Sequence, residues 1–229
     1  MDWKCQLGII VPSWNTVMEY ECSRIAPAGV SVHTSRIAHT VTSMEARLHM
    51  IGVAPEAAEL LAHAKVTAIC FGCTGASFVK TGIDQEIIEA MEKATRTPCT
   101  TTTTAIVEAL RYLKVRSVAI SSPYHEDQVE RMTRFLEYSG FKVVSQKGLG
   151  MECPSYLPPD HAYRLALDSN RPEADAVIIS CTNFRSLEAI EPLEKELRKP
   201  VVSSNTASMW KLLQLAGVKD KIIGAGQLF

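Results

Sequence analysis

Short apolar runs rich in β-branched residues recur along the chain at 7–11, 30–34, 66–71, 99–102, 117–121, 142–145, 176–180 and 201–203, set off by Gly, Pro or Ser. Continuous runs of this length predict strands buried on both faces. Between them, 84–95, 104–114, 127–139, 186–198 and 206–216 carry apolar residues at three- and four-residue spacing and open near Asp, Ser or Thr, which predicts capped helices. Strand alternating with helix predicts parallel sheets covered on both sides, an α/β fold.

The pattern repeats. Ala64-Lys65-Val66-Thr67-Ala68-Ile69-Cys70-Phe71-Gly72-Cys73-Thr74 is echoed by Ala174-Asp175-Ala176-Val177-Ile178-Ile179-Ser180-Cys181-Thr182, each a buried strand ending in Cys-Thr. After a helix, a fixed offset of 102 residues aligns Pro98 with Pro200, Thr104 with Thr206, Ala105 with Ala207 and Leu110 with Leu212. Two homologous halves follow. The expected architecture is two pseudo-twofold-related domains, each a parallel sheet flanked by helices, with the active site in the cleft between them. Residues 1–103 with 206–229 form the first domain and 104–205 the second, so that the helix at 206–216 crosses back to the first half.

Composition narrows the class. The 229 residues are 46% hydrophobic and 21% charged, with a net charge of −1 and no Lys/Arg run, so neither nucleic acid nor a membrane is an expected partner. The first residues lead into a strand with no apolar signal segment, no stretch is long enough to span a bilayer, and a cytoplasmic protein is expected. Seven cysteines at irregular spacing fit reduced thiols better than a disulfide framework.

In open parallel sheets ligands bind beyond the carboxyl ends of the strands. Cys73 and Cys181 belong there, each in a turn whose backbone N–H groups favour a thiolate. The plain alternative is a pair of buried structural thiols; the duplication favours function. Cys70-x-x-Cys73 suggests a redox or zinc motif, but it has no second pair or histidine at ligand spacing, and Cys70 falls inside the strand, where it should pack in the core. The strand-end rule also aims Asn15 and Tyr124 at the cleft, as neutral donors for a carboxylate or for the enediolate formed when its α-carbon loses a proton, although turn and cap roles would explain them as well. Thr100 to Thr104 reads as strand and helix cap with only its last members near the site. Gly148-Leu149-Gly150 and Gly224-Ala225-Gly226 lack the context of a dinucleotide fingerprint.

Together these residues resemble the aspartate/glutamate racemase superfamily, and within it the maleate cis-trans isomerases and arylmalonate decarboxylases, over nearly the whole chain. Val11-Pro12-Ser13-Trp14-Asn15-Thr16-Val17-Met18-Glu19-Tyr20-Glu21 is similar to the isomerases' Val-Pro-Ser-Ser-Asn-Thr segment, Ser122-Pro123-Tyr124 to their tyrosine site, and Cys73 and Cys181 to their cysteine pair. Cys73-Thr74-Gly75-Ala76-Ser77-Phe78, Thr97-Pro98-Cys99-Thr100-Thr101 and Pro200-Val201-Val202-Ser203-Ser204 lean toward the decarboxylases. Those enzymes carry glycine in place of Cys73 and need only the cysteine matching Cys181.

The resemblance implies catalytic Cys73 and Cys181, with Pro12, Asn15, Thr74, Gly75, Tyr124 and Thr182 around the substrate and neither cofactor nor metal. It implies that Cys73 attacks an alkene carbon of maleate and Cys181 protonates the neighbouring one. Two departures stand out: Trp14 replaces a small Ser, and Glu152-Cys153-Pro154 stands where an Asp-Asn pair helps bind the second carboxylate. The expected partners are a small carboxylic or dicarboxylic acid and a second copy of the chain in a dimer. Maleate isomerisation is the leading expectation. A racemase of an amino or 2-substituted acid, an arylmalonate-type decarboxylase and a non-catalytic small-acid binder are the alternatives. Residues 36–50, polar and poorly periodic, fit either a lid or a surface loop.

Overall fold

A computed structural model describes residues 3–229. Met1 and Asp2, the start of the stretch read above for a signal, lie outside the described residues. In chain order the first half runs β1 (Cys5–Pro12), α1 (Met18–Ile25), β2 (Val30–Ile37), α2 (Met44–Gly52), α3 (Ala54–His63), β3 (Ala68–Phe71), α4 (Ile83–Thr95), β4 (Cys99–Thr101) and α5 (Thr102–Tyr112). The second runs β5 (Ser117–Ser122), α6 (Glu126–Tyr138), β6 (Lys142–Gly148), α7 (Pro159–Ser169), β7 (Ala176–Ile179), α8 (Leu187–Leu197), β8 (Val201–Ser203) and α9 (Ser204–Leu215).

All strand pairings are parallel, and the two four-stranded sheets have the matching orders β2-β1-β3-β4 and β6-β5-β7-β8. The expected α/β architecture of two helix-flanked parallel sheets is therefore present. The repeat reaches down to single hydrogen bonds. Thr101 Oγ1 accepts the Thr104 N–H at 3.2 Å to cap α5, and Ser203 Oγ accepts the Thr206 N–H at 3.1 Å to cap α9. Arg96 and Arg198 end α4 and α8 in the same left-handed conformation, at φ 57° and 54°.

Among the described residues, eight strands form where the apolar runs lie, with β1, β2 and β6 each three residues longer than those runs. Four helices, α1, α2, α3 and α7, were not among the expected ones. Of these, α1, α3 and α7 have no side-chain cap from their own N-cap residue; their start signals are Asn15 ahead of α1 and a proline in the first turn of α3 and of α7.

Apolar clusters fill both faces of each sheet. Ala105, Ile106, Ala109 and Leu110 of α5 pack with Val118, Ile120, Ala176 and Ile178 of the second sheet. Met209, Leu212 and Leu213 of α9 pack with Leu7, Ile9 and Cys70 of the first sheet, while Ala207 and Trp210 of the same helix face the second cluster. Cys70 is thus core, as its strand position implied. No described helix is long and apolar enough to cross a membrane.

Between the halves sits one buried carboxylate. Ser186 was expected to open α8 with its own hydroxyl, but it makes no such cap. Instead Glu21 of α1 reaches across: its Oε1 accepts the backbone N–H groups of Ser186 at 2.6 Å and Leu187 at 3.0 Å, and its Oε2 accepts the Ser186 hydroxyl at 3.2 Å and the Asn205 amide at 2.7 Å. Burial raises the Glu21 pKa, and these donors pull it back. Replacing Glu21 by Ala strands those donors, and we expect a loss of about 3 kcal/mol in unfolding free energy. Glu21→Gln, which keeps one acceptor, should lose less. Urea denaturation measures both, and an unchanged midpoint in Glu21→Ala would refute the clamp.

Candidate active site

Equivalent strand ends deliver equivalent side chains. Cys73 follows β3 by two residues and Cys181 follows β7 by two, while Asn15 and Tyr124 lie just beyond β1 and β5. All eight residues expected at the site, Pro12, Asn15, Cys73, Thr74, Gly75, Tyr124, Cys181 and Thr182, line one cleft of about 430 Å³, its open mouth included.

Close packing shapes the first turn. A Cβ on Gly72 would come within 2.8 Å of the Ile10 carbonyl oxygen and would collide with the Met18 sulfur, so only glycine lets the chain pass there before Cys73. The second turn pays in backbone conformation: Cys181 sits at φ 106°, well outside the region an L-residue prefers.

Hydroxyls then tie the turns together. Asn15 Nδ2 donates to Thr182 Oγ1 at 3.0 Å, and Thr182 Oγ1 donates to the Gly72 carbonyl at 3.1 Å. Thr74 Oγ1 donates to Ser204 Oγ at 3.0 Å, and the same Ser204 oxygen accepts the Cys181 N–H at 3.0 Å. Asn15 combines both of its sequence readings. Its Oδ1 accepts the Val17 and Met18 N–H groups at 3.0 Å, capping α1, while its amide borders the cleft.

Burial raises both thiol pKa values, to about 11 for Cys73 and about 12 for Cys181. Opposing this at Cys73 are the Ala76 N–H, the Arg47 charge and the Gly75 N–H; at Cys181 they are the Asn183 N–H and the Tyr124 hydroxyl. Tyr124 itself is held protonated, chiefly by burial, so its hydroxyl is a donor at neutral pH.

The cleft also holds residues that sequence reasoning passed over: Arg47, His39, Thr42, Gln128 and Asn183. The first three come from the 36–50 stretch, much of which is regular structure. It ends β2, then runs into α2 behind a Ser43 cap whose hydroxyl accepts the Ala46 N–H at 3.1 Å. Met50 of α2 is fully buried, and the Arg47–Met50 spacing was the available sign that this face points inward. The threonine run forms the end of β4 and the cap of α5, as its β-branching and cap chemistry imply. None of its five members lines the cleft; Thr103 donates to the Ser77 carbonyl at 3.0 Å and Thr104 to Asp84 at 2.8 Å, supporting the loop after Cys73 from behind. Among the described residues no three His, Cys, Asp or Glu side chains converge as a metal would require.

Two duplicated α/β halves facing each other across a paired-thiol cleft define the class of protein, and comparison with known proteins agrees. The family model for arylmalonate decarboxylase matches residues 7–229, and the chain belongs to that family. The chain is 35% identical to arylmalonate decarboxylase from Bordetella bronchiseptica over 146 residues, a match spanning 61% of this chain and 61% of that relative. It is 27% identical to maleate isomerase from Pseudomonas putida over 242 residues, 97% of this chain and 96% of the relative. The crystal structure of the maleate isomerase Iso from Pseudomonas putida S16 superimposes with a TM-score of 0.94 at 25% identity, covering 98% of this chain and 97% of that one. The resemblance read from the sequence thus holds on both of its branches.

A thiol whose pKa is pushed up to about 11 is mostly protonated at pH 7 and gains thiolate as pH rises. Alkylation of Cys73 by iodoacetamide, followed by mass spectrometry of its peptide, should therefore speed up about tenfold per pH unit between pH 7 and 9. A plateau within that range would mean that the turn's donors outweigh burial.

Proposed function

We propose that this protein is a cofactor-independent isomerase that converts maleate to fumarate, with Cys73 as nucleophile and Cys181 as acid and then base. The observation that carries the reading is the second thiol: Cys73 occupies the turn where decarboxylases of this kind have glycine, and it shares the cleft with Cys181.

The Cys73 thiolate adds to one alkene carbon of maleate, and the π-electron pair moves onto the carboxylate of the neighbouring carbon as an enediolate. Donors from Tyr124 and the Asn15 amide suit that developing charge. Cys181 then gives its proton to the neighbouring carbon, leaving a thioether with a single carbon–carbon bond, which rotates. Cys181 takes the proton back, the electron pair re-forms the alkene and the carbon–sulfur bond breaks, releasing fumarate and restoring both cysteines. Addition and elimination replace a prohibited rotation about a double bond. The Ala76 and Gly75 N–H groups and the Arg47 charge, which favour a thiolate at Cys73, support its assignment as nucleophile.

Replacement of the maleate vinyl proton signal by that of fumarate, followed by proton NMR, tests the proposal. Wild type should be active, and Cys73→Ala and Cys181→Ala should each lose at least about a thousandfold. An inactive wild type, or full activity in either variant, overturns it. The 35% identity to an arylmalonate decarboxylase favours a second reading, decarboxylation of an aryl-substituted malonate through an enediolate that Cys181 alone protonates. Under that reading Cys73→Ala keeps phenylmalonate decarboxylation while Cys181→Ala loses it.

A further inference from the structure

Arg47 enters the cleft from α2 with only 5% of its surface exposed. Its Nε lies 3.6 Å, and the Gln128 amide nitrogen 3.9 Å, from the point where a Cβ on Gly75 would stand, so guanidinium and amide converge over that glycine, beside Cys73. Leaving a side chain off Gly75 keeps the space between them open.

The charges around Arg47 leave it unneutralised. Cys73, Tyr124 and Asp127 face it, and Arg131 opposes it. Asp127 is engaged by Arg131 at 3.7 Å, and Glu152, exposed at the mouth, accepts the Thr42 hydroxyl at 3.0 Å. Burial and the Arg47 charge itself keep His39 below its usual pKa, hence neutral. No ion pair among the described residues includes Arg47, and a guanidinium stays protonated even when burial lowers its pKa. A buried cation without a carboxylate is costly unless something else brings one.

We propose that Arg47, with Gln128, anchors a second anionic group of the substrate, making the cleft selective for dicarboxylates over monocarboxylates. The inference deepens the small-acid reading of the cleft and rests on it. It also supplies the donor that Glu152-Cys153-Pro154 does not. One carboxylate would lie against Asn15, Thr74 and Tyr124, and the other would meet the fork of Arg47, whose planar geometry suits a carboxylate.

Two alkylating agents that differ in charge test the anchor without relying on turnover. In wild type, anionic iodoacetate should label Cys73 faster relative to iodoacetamide than it does glutathione. Arg47→Gln should lower that ratio about tenfold, Arg47→Lys should keep most of it, and Gln128→Met, which leaves α2 untouched, should lower it partially. With maleate as substrate, Arg47→Gln should raise KM about tenfold but leave KM for the monoamide of maleate unchanged. Equal slowing by both reagents would make Arg47 a thiolate stabiliser and overturn the anchor, as would an unchanged ratio in Arg47→Gln and Gln128→Met. If wild type leaves maleate untouched while the labelling ratio shifts as expected, the isomerase reading fails and the anchor stands. If maleate turns over and neither ratio nor KM moves, the anchor alone fails.

Discussion

The placement of the two thiols depends on an exchange of hydrogen bonds between the halves. Thr182, next to Cys181, receives the Asn15 amide and gives its hydroxyl to the carbonyl of Gly72, next to Cys73. Ser204, at the start of α9, receives both the Thr74 hydroxyl and the N–H of Cys181. Each cysteine turn is therefore held partly by groups from the other half, through short side chains with little freedom to drift. All of these hydroxyls and amides are buried, where an unmade bond costs most and a satisfied network fixes a single arrangement. The Glu21 clamp on α8 strengthens the same seam.

Within that frame, chemical asymmetry comes from small differences around a symmetric skeleton. The skeleton puts a sulfur two residues past the third strand of each sheet. The neighbours then diverge: a turn of N–H groups and a cation beside Cys73, a phenol and one N–H beside Cys181. The two thiols thereby meet different partners. Burial acts on both and favours their protonated forms.

Most of the fold was legible because it rests on local patterns that the duplication states twice. Strand ends, Cys-Thr turns and the caps of α5 and α9 recur at matched addresses, and a coincidence in one half would not have a partner in the other. What escaped was tertiary. Arg47 reads as one more charge on a polar stretch until α2 turns it inward. Glu21 reads as a first-turn acid of a surface helix, yet its partners lie 165 and 184 positions away in the chain. Ser186 has the identity of a cap, but its hydroxyl donates to a distant carboxylate. The threonine run combined β-branching with cap chemistry, and only packing decided that it would brace the site from behind.

The conformation of Cys181 has an evolutionary consequence. A non-glycine residue held at φ 106° carries a conformational penalty on the order of 1–3 kcal/mol, which glycine would largely relieve. A lineage selected only for a sturdier fold would drift toward glycine at that codon and lose its sulfur in the process. At this position relief of the backbone and possession of a thiol exclude each other, so a variant stabilised by glycine there gives up any chemistry the sulfur performs.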